Sequence, residues 1–247
     1  MSTELVGILT NYLGAMSQPN VQLPSSPRPA VTISREAGSG ALIVANLIAK
    51  QLDRDCPGNP PCPWAVLDRT LVTKILEDHG LSKKIEEFMP EQFRFPLNEA
   101  FEYLLGLHPP SWTLREYAKK TIRKLAKNGN VILVGRGGAF ITERLPHVLH
   151  VRLIAPFDFR VQNMARMQGI SEQQAARMVR ANDAANRHYV RAYLNANVRD
   201  SSYYDLVVNT ANTGFDRAAR IVSATVVDFT RYRRKHLSGE TISADRA

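Results

Sequence analysis

Five short apolar runs, separated by stretches with helical spacing, constrain the fold of this 247-residue chain more than any other feature. The runs are AVTIS from residue 30, WAVL at 64–67, NVILVG at 130–135, HVLHVRLIA at 147–155 and YDLVVNT at 204–210. Parallel strands need crossover connections, which helices between successive strands supply. The sequence therefore predicts a three-layer α/β fold, in which helices flank a five-stranded, mostly parallel sheet.

Helical stretches follow these runs. They are ALIVANLIAKQLD after the first run, then 111–129, 156–169 and 171–196. Ser171 and Gln174 have the spacing of a capping box at the start of the last stretch. Residues 81–110 contain helical pieces but no strand, so they are predicted to be an insertion between the second and third strands.

Composition divides the chain into three segments. Residues 1–29 combine a short amphipathic stretch with a linker rich in proline and serine, a folded domain is predicted over 30–235, and residues 236–247 form a polar tail. No window approaches the apolar length of a membrane span, and no basic residue precedes the first apolar stretch. A cytoplasmic protein without a membrane partner is expected. Docking of the N-terminal helix on a second subunit of a homo-oligomer stays open.

The charge balance favours an anionic partner. The chain has 32 Lys and Arg against 23 Asp and Glu, which gives a net charge of +9. Nucleotides and nucleic acids both suit this charge, but aromatic residues do not alternate with basic ones as in stacking platforms, which disfavours nucleic acid. Cys56 and Cys62 match no zinc spacing, and no second pair completes four ligands. Metal ligands are therefore left unassigned.

A glycine turn lies between the first strand and its helix. In Gly38, Ser39, Gly40 and Ala41 the backbone amides can point at an anion, with the positive end of the helix dipole behind them. Turns from strand to helix also need glycine for steric reasons alone. A phosphate site here therefore depends on further signals.

Those signals come from an ordered set of residues along the chain. Ser34-Arg35-Glu36-x-Gly38-Ser39-Gly40 is followed by Asp68, VILVGRGGAFI at 131–141, Asp183 with Arg187, and YYDLVVNT at 203–210. Over about residues 30–229 this set resembles the cytidylate kinase-like proteins, which belong to the P-loop nucleoside monophosphate kinases. The resemblance implies their kinase fold, ATP and Mg²⁺ as cofactors, and nucleotide substrates. It also implies transfer of the γ phosphate to a (deoxy)nucleoside monophosphate such as CMP.

The resemblance assigns roles to two further segments. The helix at about 170–200 corresponds to the lid, whose arginines stabilise the charge that spreads during transfer, and Arg180 and Arg187 are its catalytic candidates. Residues 81–110 correspond to the part that closes over the acceptor, where Arg94 offers a guanidinium for the acceptor phosphate. The plain alternatives are a solvated helix face for the first segment and ordinary core packing for the second.

Arg136 and Asp68 follow apolar strands, at the sheet edge where parallel sheets bind ligands. The resemblance assigns the segment around Arg136 to the acceptor or transfer site, and the alternative is a strand-end arginine exposed to water. Asp68 can receive an acceptor hydroxyl or a magnesium water, or it can act as the N-cap of the following helix. Both roles of Asp68 can coexist.

The phosphate loop departs from the standard pattern. Lys and then Ser or Thr ordinarily follow the last glycine, because the Lys neutralises phosphate charge and the hydroxyl binds magnesium. This chain has Ala41 and Leu42 at these positions. Arg35 is the nearest substitute cation, or else it pairs with Glu36 or another carboxylate. Two functions remain open: a phosphotransferase that uses arginines as catalytic cations, or an inactive nucleotide-binding protein with a regulatory or scaffolding role.

Overall fold

Five strands form at the predicted apolar runs. The computed structural model describes residues 28–55, 63–68, 119, 122–135 and 137–237, with only the backbone given at 55 and 230–237. The strands in these ranges are β1 (Ala30–Arg35), β2 (Ala65–Leu67), β3 (Val131–Val134), β4 (Val148–Ile154) and β5 (Leu206–Asn209). The predicted strands are thereby confirmed, with small differences at their ends.

Helices connect the strands. In the described ranges they are α1 (Ala41–Asp55), α2 (122–128), α3 (Gly138–Thr142), α4 (Phe157–Gln168), α5 (Glu172–Leu194), α6 (Thr210–Thr213) and α7 (Phe215–Leu237). The predicted capping box is present at the start of α5, where the Gln174 amide donates to Ser171 Oγ and the Ser171 amide donates to Gln174 Oε1. These two bonds satisfy amides that would otherwise lack an acceptor at the helix start.

The five strands form one sheet in the order β2-β3-β1-β4-β5, and every neighbouring pair is parallel. β1 is therefore central, with β3 on one side and β4 on the other. α1 and α7 cover one face of the sheet, while α2 and α3 contribute to a core on the opposite face. This arrangement confirms the predicted three-layer α/β fold.

Side chains alternate between the two faces of each strand. On the face covered by α1 and α7, β1 and β4 bury only aliphatic residues: Val31, Ile33, Leu149, Val151 and Leu153. On the face of α3 the same strands bury polar residues: Thr32, Ser34, His150 and Arg152. Of these residues, Ser34 and Arg152 lie nearer the carboxyl end of the sheet, which is where the candidate site lies.

α4 and α5 stand together beyond the carboxyl end of β4. Val161 of α4 packs against Ala175 and Val179 of α5 in a small core of their own. This contact fixes the long helix α5 beside the loop that follows β1. The insertion predicted at 81–110 and the helix predicted within 1–29 fall outside the described residues, as does most of the polar tail. No helix in the described part of the chain is both long and apolar enough to cross a membrane.

Candidate functional site

The loop between β1 and α1, residues 36–40, turns at two glycines; we call it the glycine loop. Gly38 has φ +84° and Gly40 has φ +80°, a region that residues with a side chain rarely adopt. A Cβ atom on Gly38 would overlap the carbonyl oxygen of Arg160, and one on Gly40 would overlap the ring of Phe215. Both the backbone conformation and the close approach of α4 and α7 therefore require glycine here.

The glycine loop directs its carbonyl oxygens into the protein. Each of the five carbonyls from Glu36 to Gly40 accepts a hydrogen bond. The donors, in order, are the Ser39 amide (3.2 Å), Arg160 Nη1 (3.0 Å), Asn163 Nδ2 (2.8 Å), Thr210 Oγ1 (2.9 Å) and the Val44 amide (3.0 Å). Elements far apart in sequence thus hold the loop in one orientation.

Two amides of the loop and three at the start of α1 lack such partners, whereas the amides of Glu36, Ala37 and Ser39 each donate a hydrogen bond. The amides of Gly38, Gly40 and residues 41–43 donate to none of the described residues, since the hydrogen-bond ladder of α1 begins at the Val44 amide. No acidic residue lies in the first turn of this 15-residue helix. These five amides, which we call the amide cradle, stand at the positive end of the helix dipole. They suit an anion such as a phosphate group.

Ser39 adds a polar group to the same loop. The residue is fully buried, and its hydroxyl has no hydrogen-bond partner among the residues that the structure describes. Buried polar side chains ordinarily have a partner. An unpartnered hydroxyl beside the amide cradle fits a loop that takes up a polar ligand.

Arg160 of α4 is the main side chain that fixes the loop. Its side chain is 9% exposed. Nε donates to the carbonyl of Ala155 at 2.9 Å, and Nη1 donates to the carbonyl of Ala37 at 3.0 Å and to Asp183 Oδ2 at 2.7 Å. Nε also lies 3.5 Å from Glu36 Oε2. Arg160 is therefore committed to holding α4, α5 and the glycine loop together.

Asp183 connects the long helix α5 to the same loop. Its Oδ1 accepts a hydrogen bond from the Ala37 amide at 2.8 Å, and its Oδ2 accepts from Arg160. A carboxylate oxygen thus already lies at one amide at the entrance of the loop. The amide cradle begins one residue later, at Gly38, and is not occupied by this contact.

Two buried arginines flank Glu36. Its Oε2 accepts from the Ala155 amide at 3.2 Å and lies beside Arg160, while its Oε1 lies 4.0 Å from Arg152 Nη2. Together with Asp183, the cluster contains two guanidinium groups and two carboxylates. The charges are equal in number, but of the two arginines it is Arg160 that hydrogen-bonds a carboxylate, at Asp183.

The donor set fits a phosphate better than a resident metal ion. In the described ranges no group of three or more His, Cys, Asp or Glu side chains is close enough to hold a metal. Ala41 and Leu42 begin α1 with neither an amine nor a hydroxyl. These two residues therefore offer no side-chain ligand for a magnesium ion at the start of α1.

Comparison with known proteins agrees with this geometry. The sequence model of the cytidylate kinase-like family matches residues 30–212. The chain belongs to the cytidylate kinase-like family. This confirms the resemblance that begins at the glycine loop.

Individual relatives within this family carry more specific names. Cytidylate kinase of Pyrococcus horikoshii is 30% identical over 164 residues, which cover 64% of this chain and 81% of that protein. Cytidylate kinase of Thermococcus kodakarensis is 32% identical over 131 residues, which cover 52% of this chain and 64% of that protein. A crystal structure of an uncharacterized protein from Eubacterium ventriosum has a TM-score of 0.57 and 22% identity, over 81% of this chain and 99% of that chain. This likeness supports the fold.

The three arginines predicted to act in catalysis lie in two places. Arg35 ends β1 and is partly exposed. Arg180 and Arg187 are exposed on α5, and the Arg180 guanidinium lies 4.9 Å from the ring centroid of Phe157. The arginine whose guanidinium is described in hydrogen-bond contact with the glycine loop is Arg160. Roles of Arg35, Arg180 and Arg187 in a cytidylate kinase-like reaction stay predictions.

The predicted nucleotide-binding residues Gly38, Ser39, Gly40 and Ala41 form the glycine loop and the first residue of α1. Among the predicted acceptor residues, Asp68 directly follows β2 and is partly buried. Arg94 and Arg136 lie outside the described residues, so their acceptor roles stay predictions.

Sequence reasoning missed Arg152, Arg160 and Asn163. A signal for Arg152 was present in β4, where His150 and Arg152 place polar residues at alternate positions of an otherwise apolar strand. Period-two polarity in a strand between two helical layers indicates that one face is not an ordinary apolar core. Arg160 and Asn163 gave no comparable local signal, because polar residues are common on any helix.

Proposed function

We propose that this chain transfers the γ-phosphoryl group of MgATP to the phosphate of a nucleoside monophosphate, with CMP as the first acceptor to test. The observation that carries the proposal is the orientation of the glycine loop: its carbonyls are bonded inward and the amide cradle is left for an anion. The cytidylate kinase names of the relatives support the choice of acceptor class.

No side chain attacks phosphorus in this reaction. An oxygen of the acceptor phosphate attacks the γ phosphorus, the bond to the β–γ bridging oxygen breaks, and ADP leaves with that electron pair. The chain contributes alignment and charge stabilisation. The amide cradle holds the donor phosphates, and its bonded carbonyls keep it from reorganising when charge shifts during transfer.

Arginines supply the positive charge in this proposal. Arg160 acts as a positioning residue, since its donors already bind Ala37 and Asp183. Arg35, Arg180 and Arg187 are the candidates for direct contact with the nucleotide phosphates, because each lies on an element that borders the glycine loop. On the acceptor side we propose Asp68, Arg136 and Arg94, as the family resemblance implies.

A second candidate function is suggested by Ala41, which stands where a standard phosphate loop has a lysine. A positioned cation is worth about a thousandfold or more in phosphoryl transfer, and Ala41 supplies none. If no arginine compensates, the chain binds nucleotide without turning it over and serves in regulation or scaffolding. Nucleotide binding with no product distinguishes this function from the kinase.

The test is a phosphoryl-transfer assay on the full chain. MgATP is combined with each of several ribo- and deoxyribonucleoside monophosphates, and diphosphate formation is followed together with the equilibrium binding of each nucleotide. We expect a diphosphate product from CMP or a close analogue, with loss of rate in Arg35→Ala and Arg187→Ala. Binding of ATP with no product from any acceptor would instead support the second function.

A matched pair of glycine variants tests the amide cradle itself. Gly38→Ala forces a side chain against the Arg160 backbone, whereas Gly169→Ala meets nothing within 4 Å at a similar φ of +64°. Both variants carry the strain of a left-handed alanine, about 1–2 kcal/mol. Only Gly38→Ala displaces the cradle, and a shift near 1 Å costs about a hundredfold in rate. Equal activity of the two variants would contradict the assignment of the cradle.

A further inference from the structure

A buried arginine lies at the carboxyl end of β4, in a place for which the proposed function gives no reason. Arg152 is 6% exposed, and its side chain lies on the opposite face of the sheet from those of Val151 and Leu153. Its register partner on β1 is Ser34. Arg152 Nη1 donates to Ser34 Oγ at 3.4 Å, and its guanidinium carbon lies 5.5 Å from the ring centroid of Tyr204.

These contacts leave most of the hydrogen-bonding capacity of Arg152 unused. A guanidinium has five N–H donors, and the long bond to Ser34 is the one that Arg152 makes to a described residue. Glu36 Oε1 is 4.0 Å from Nη2, too far for a hydrogen bond, and Oε2 is committed to Arg160 and the Ala155 amide. Burial of a charged group with so few partners is costly. Two oxygens of one phosphate would match the planar fork of the guanidinium.

Tyr204 holds this arrangement in place. It is 8% exposed, its hydroxyl donates to the carbonyl of Val198 at 3.0 Å, and the same oxygen lies 3.3 Å from Ser34 Oγ. The tyrosine ring and the serine hydroxyl therefore fix two sides of the guanidinium. The ring also attracts the cation, because the face of an aromatic ring is negative.

Aromatic side chains continue from Tyr204 toward α3. The rings of Phe140 and Tyr203 are 4.8 Å apart, and those of Phe140 and Tyr204 are 6.3 Å apart, measured between centroids. Phe140 and Tyr203 are partly exposed. The ring planes meet at 59° and 75°, so the three rings form an angled aromatic cluster. Such a cluster beside a guanidinium offers an aromatic contact and a phosphate partner within one site.

Arg152 lies on the opposite face of the sheet from α1. Three of the five amides of the cradle belong to the first turn of α1, which covers the aliphatic face of β1 and β4. Arg152 lies on the face of α3, where a Cβ atom on Gly138 would be 3.1 Å from Thr32 Cβ. α3 directly follows the Gly135–Gly137 segment that the family resemblance assigns to the acceptor or transfer site. The link between Arg152 and the acceptor is therefore this shared face with α3.

We propose that Arg152, held by Ser34 and Tyr204, binds the phosphate of the acceptor, a phosphate monoester with two negative charges. When the ester binds, the guanidinium exchanges its 4.0 Å contact with Glu36 for a bidentate contact with two phosphate oxygens. This assignment rests on the proposed function for the name of the ligand, but it is tested by binding alone.

Calorimetric titration of the full chain and three variants tests the proposal. CMP, cytidine, inorganic phosphate and a non-hydrolysable MgATP analogue are titrated separately into wild type, Arg152→Gln, Arg152→Lys and Arg220→Gln. Arg220 is exposed on α7. Arg220→Gln is therefore the control, because it also removes one arginine charge but from the surface. We expect Arg152→Gln to weaken CMP binding about 10- to 100-fold, with cytidine and the MgATP analogue unchanged and with Arg220→Gln like wild type.

Thermal unfolding of each variant separates a binding defect from a folding defect. If Arg152→Gln does not fold, Arg152→Lys is the variant to test. It keeps the positive charge but loses the planar guanidinium that can bind two phosphate oxygens, so we expect about tenfold weaker CMP binding. CMP binding that depends on Arg152 supports the proposal even when no diphosphate forms, so failure of the proposed function is recognised separately. The proposal is overturned if wild type does not bind CMP, or if CMP affinity is unchanged in the folded variant. Equal weakening for cytidine or the MgATP analogue also overturns it, as does inorganic phosphate binding as tightly as CMP.

Discussion

The two faces of the strand pair β1 and β4 bury side chains of different polarity, although both faces are shielded from water. One face places Val31, Leu149 and other aliphatic side chains against α1 and α7. The other face pairs polar side chains across the strands, Thr32 with His150 and Ser34 with Arg152. Both faces are almost completely shielded from water, so exposure does not distinguish them.

The difference lies in how each face contributes to stability. Aliphatic burial is non-directional and contributes in proportion to the area removed from water. Buried polar pairs contribute little net stability, but loss of one partner leaves the other without a hydrogen bond. The aliphatic face therefore carries most of the stability of the sheet, whereas the polar face holds defined geometry beside the glycine loop. The substitutions below test this division.

The largest effect is expected on the aliphatic face. Leu149 is 1% exposed, and Leu149→Ala removes buried methyl groups and leaves a cavity. We expect the free energy of unfolding to fall by about 2–5 kcal/mol in urea titrations, with nucleotide affinity unchanged in the folded protein. Val207→Ala on β5 is the control, since Val207 is 41% exposed and little stability should be lost. A loss of nucleotide affinity in Leu149→Ala would contradict the division between the faces.

A smaller effect is expected from exchanging neighbours across the two faces. Thr32→Val keeps the shape of the side chain but removes the partner of His150 Nδ1, which lies 2.9 Å from Thr32 Oγ1. Val31→Thr places a hydroxyl in the aliphatic core, where no partner is expected. Each variant should lose about 1–3 kcal/mol of unfolding free energy, because each leaves one buried polar group unpaired. If Thr32→Val proves neutral, the hydrogen bond between Thr32 and His150 is not needed for stability.

The sequence predicts the strands better than it predicts the contacts of the candidate site. The strands follow from local apolar runs, and the capping box at Ser171 follows from a spacing of three residues, so both are local signals. Contacts of the candidate site join distant segments: Asp183 meets the Ala37 amide across 146 positions, and Arg160 meets Ala37 across 123. Such contacts depend on how α4 and α5 pack, which no local pattern determines. The glycine loop was predictable as a turn, but the side chains that orient it were not.

The smallest effect is a pH dependence that belongs to the polar face alone. Burial lowers the pKa of His150 below its usual 6.5, although the charges of Asp205 and Glu143 act in the opposite direction. As the pH falls below about 6.5, the unfolded chain binds a proton at this position before the folded chain does. Stability should therefore decrease from pH 6.5 downward until the folded-state pKa is passed, by at most about 1.4 kcal/mol per pH unit. In His150→Asn this contribution is absent, so the difference in unfolding free energy between wild type and variant should shrink as the pH is lowered. Parallel stability profiles for the two proteins between pH 7 and pH 5 would contradict a neutral, buried His150.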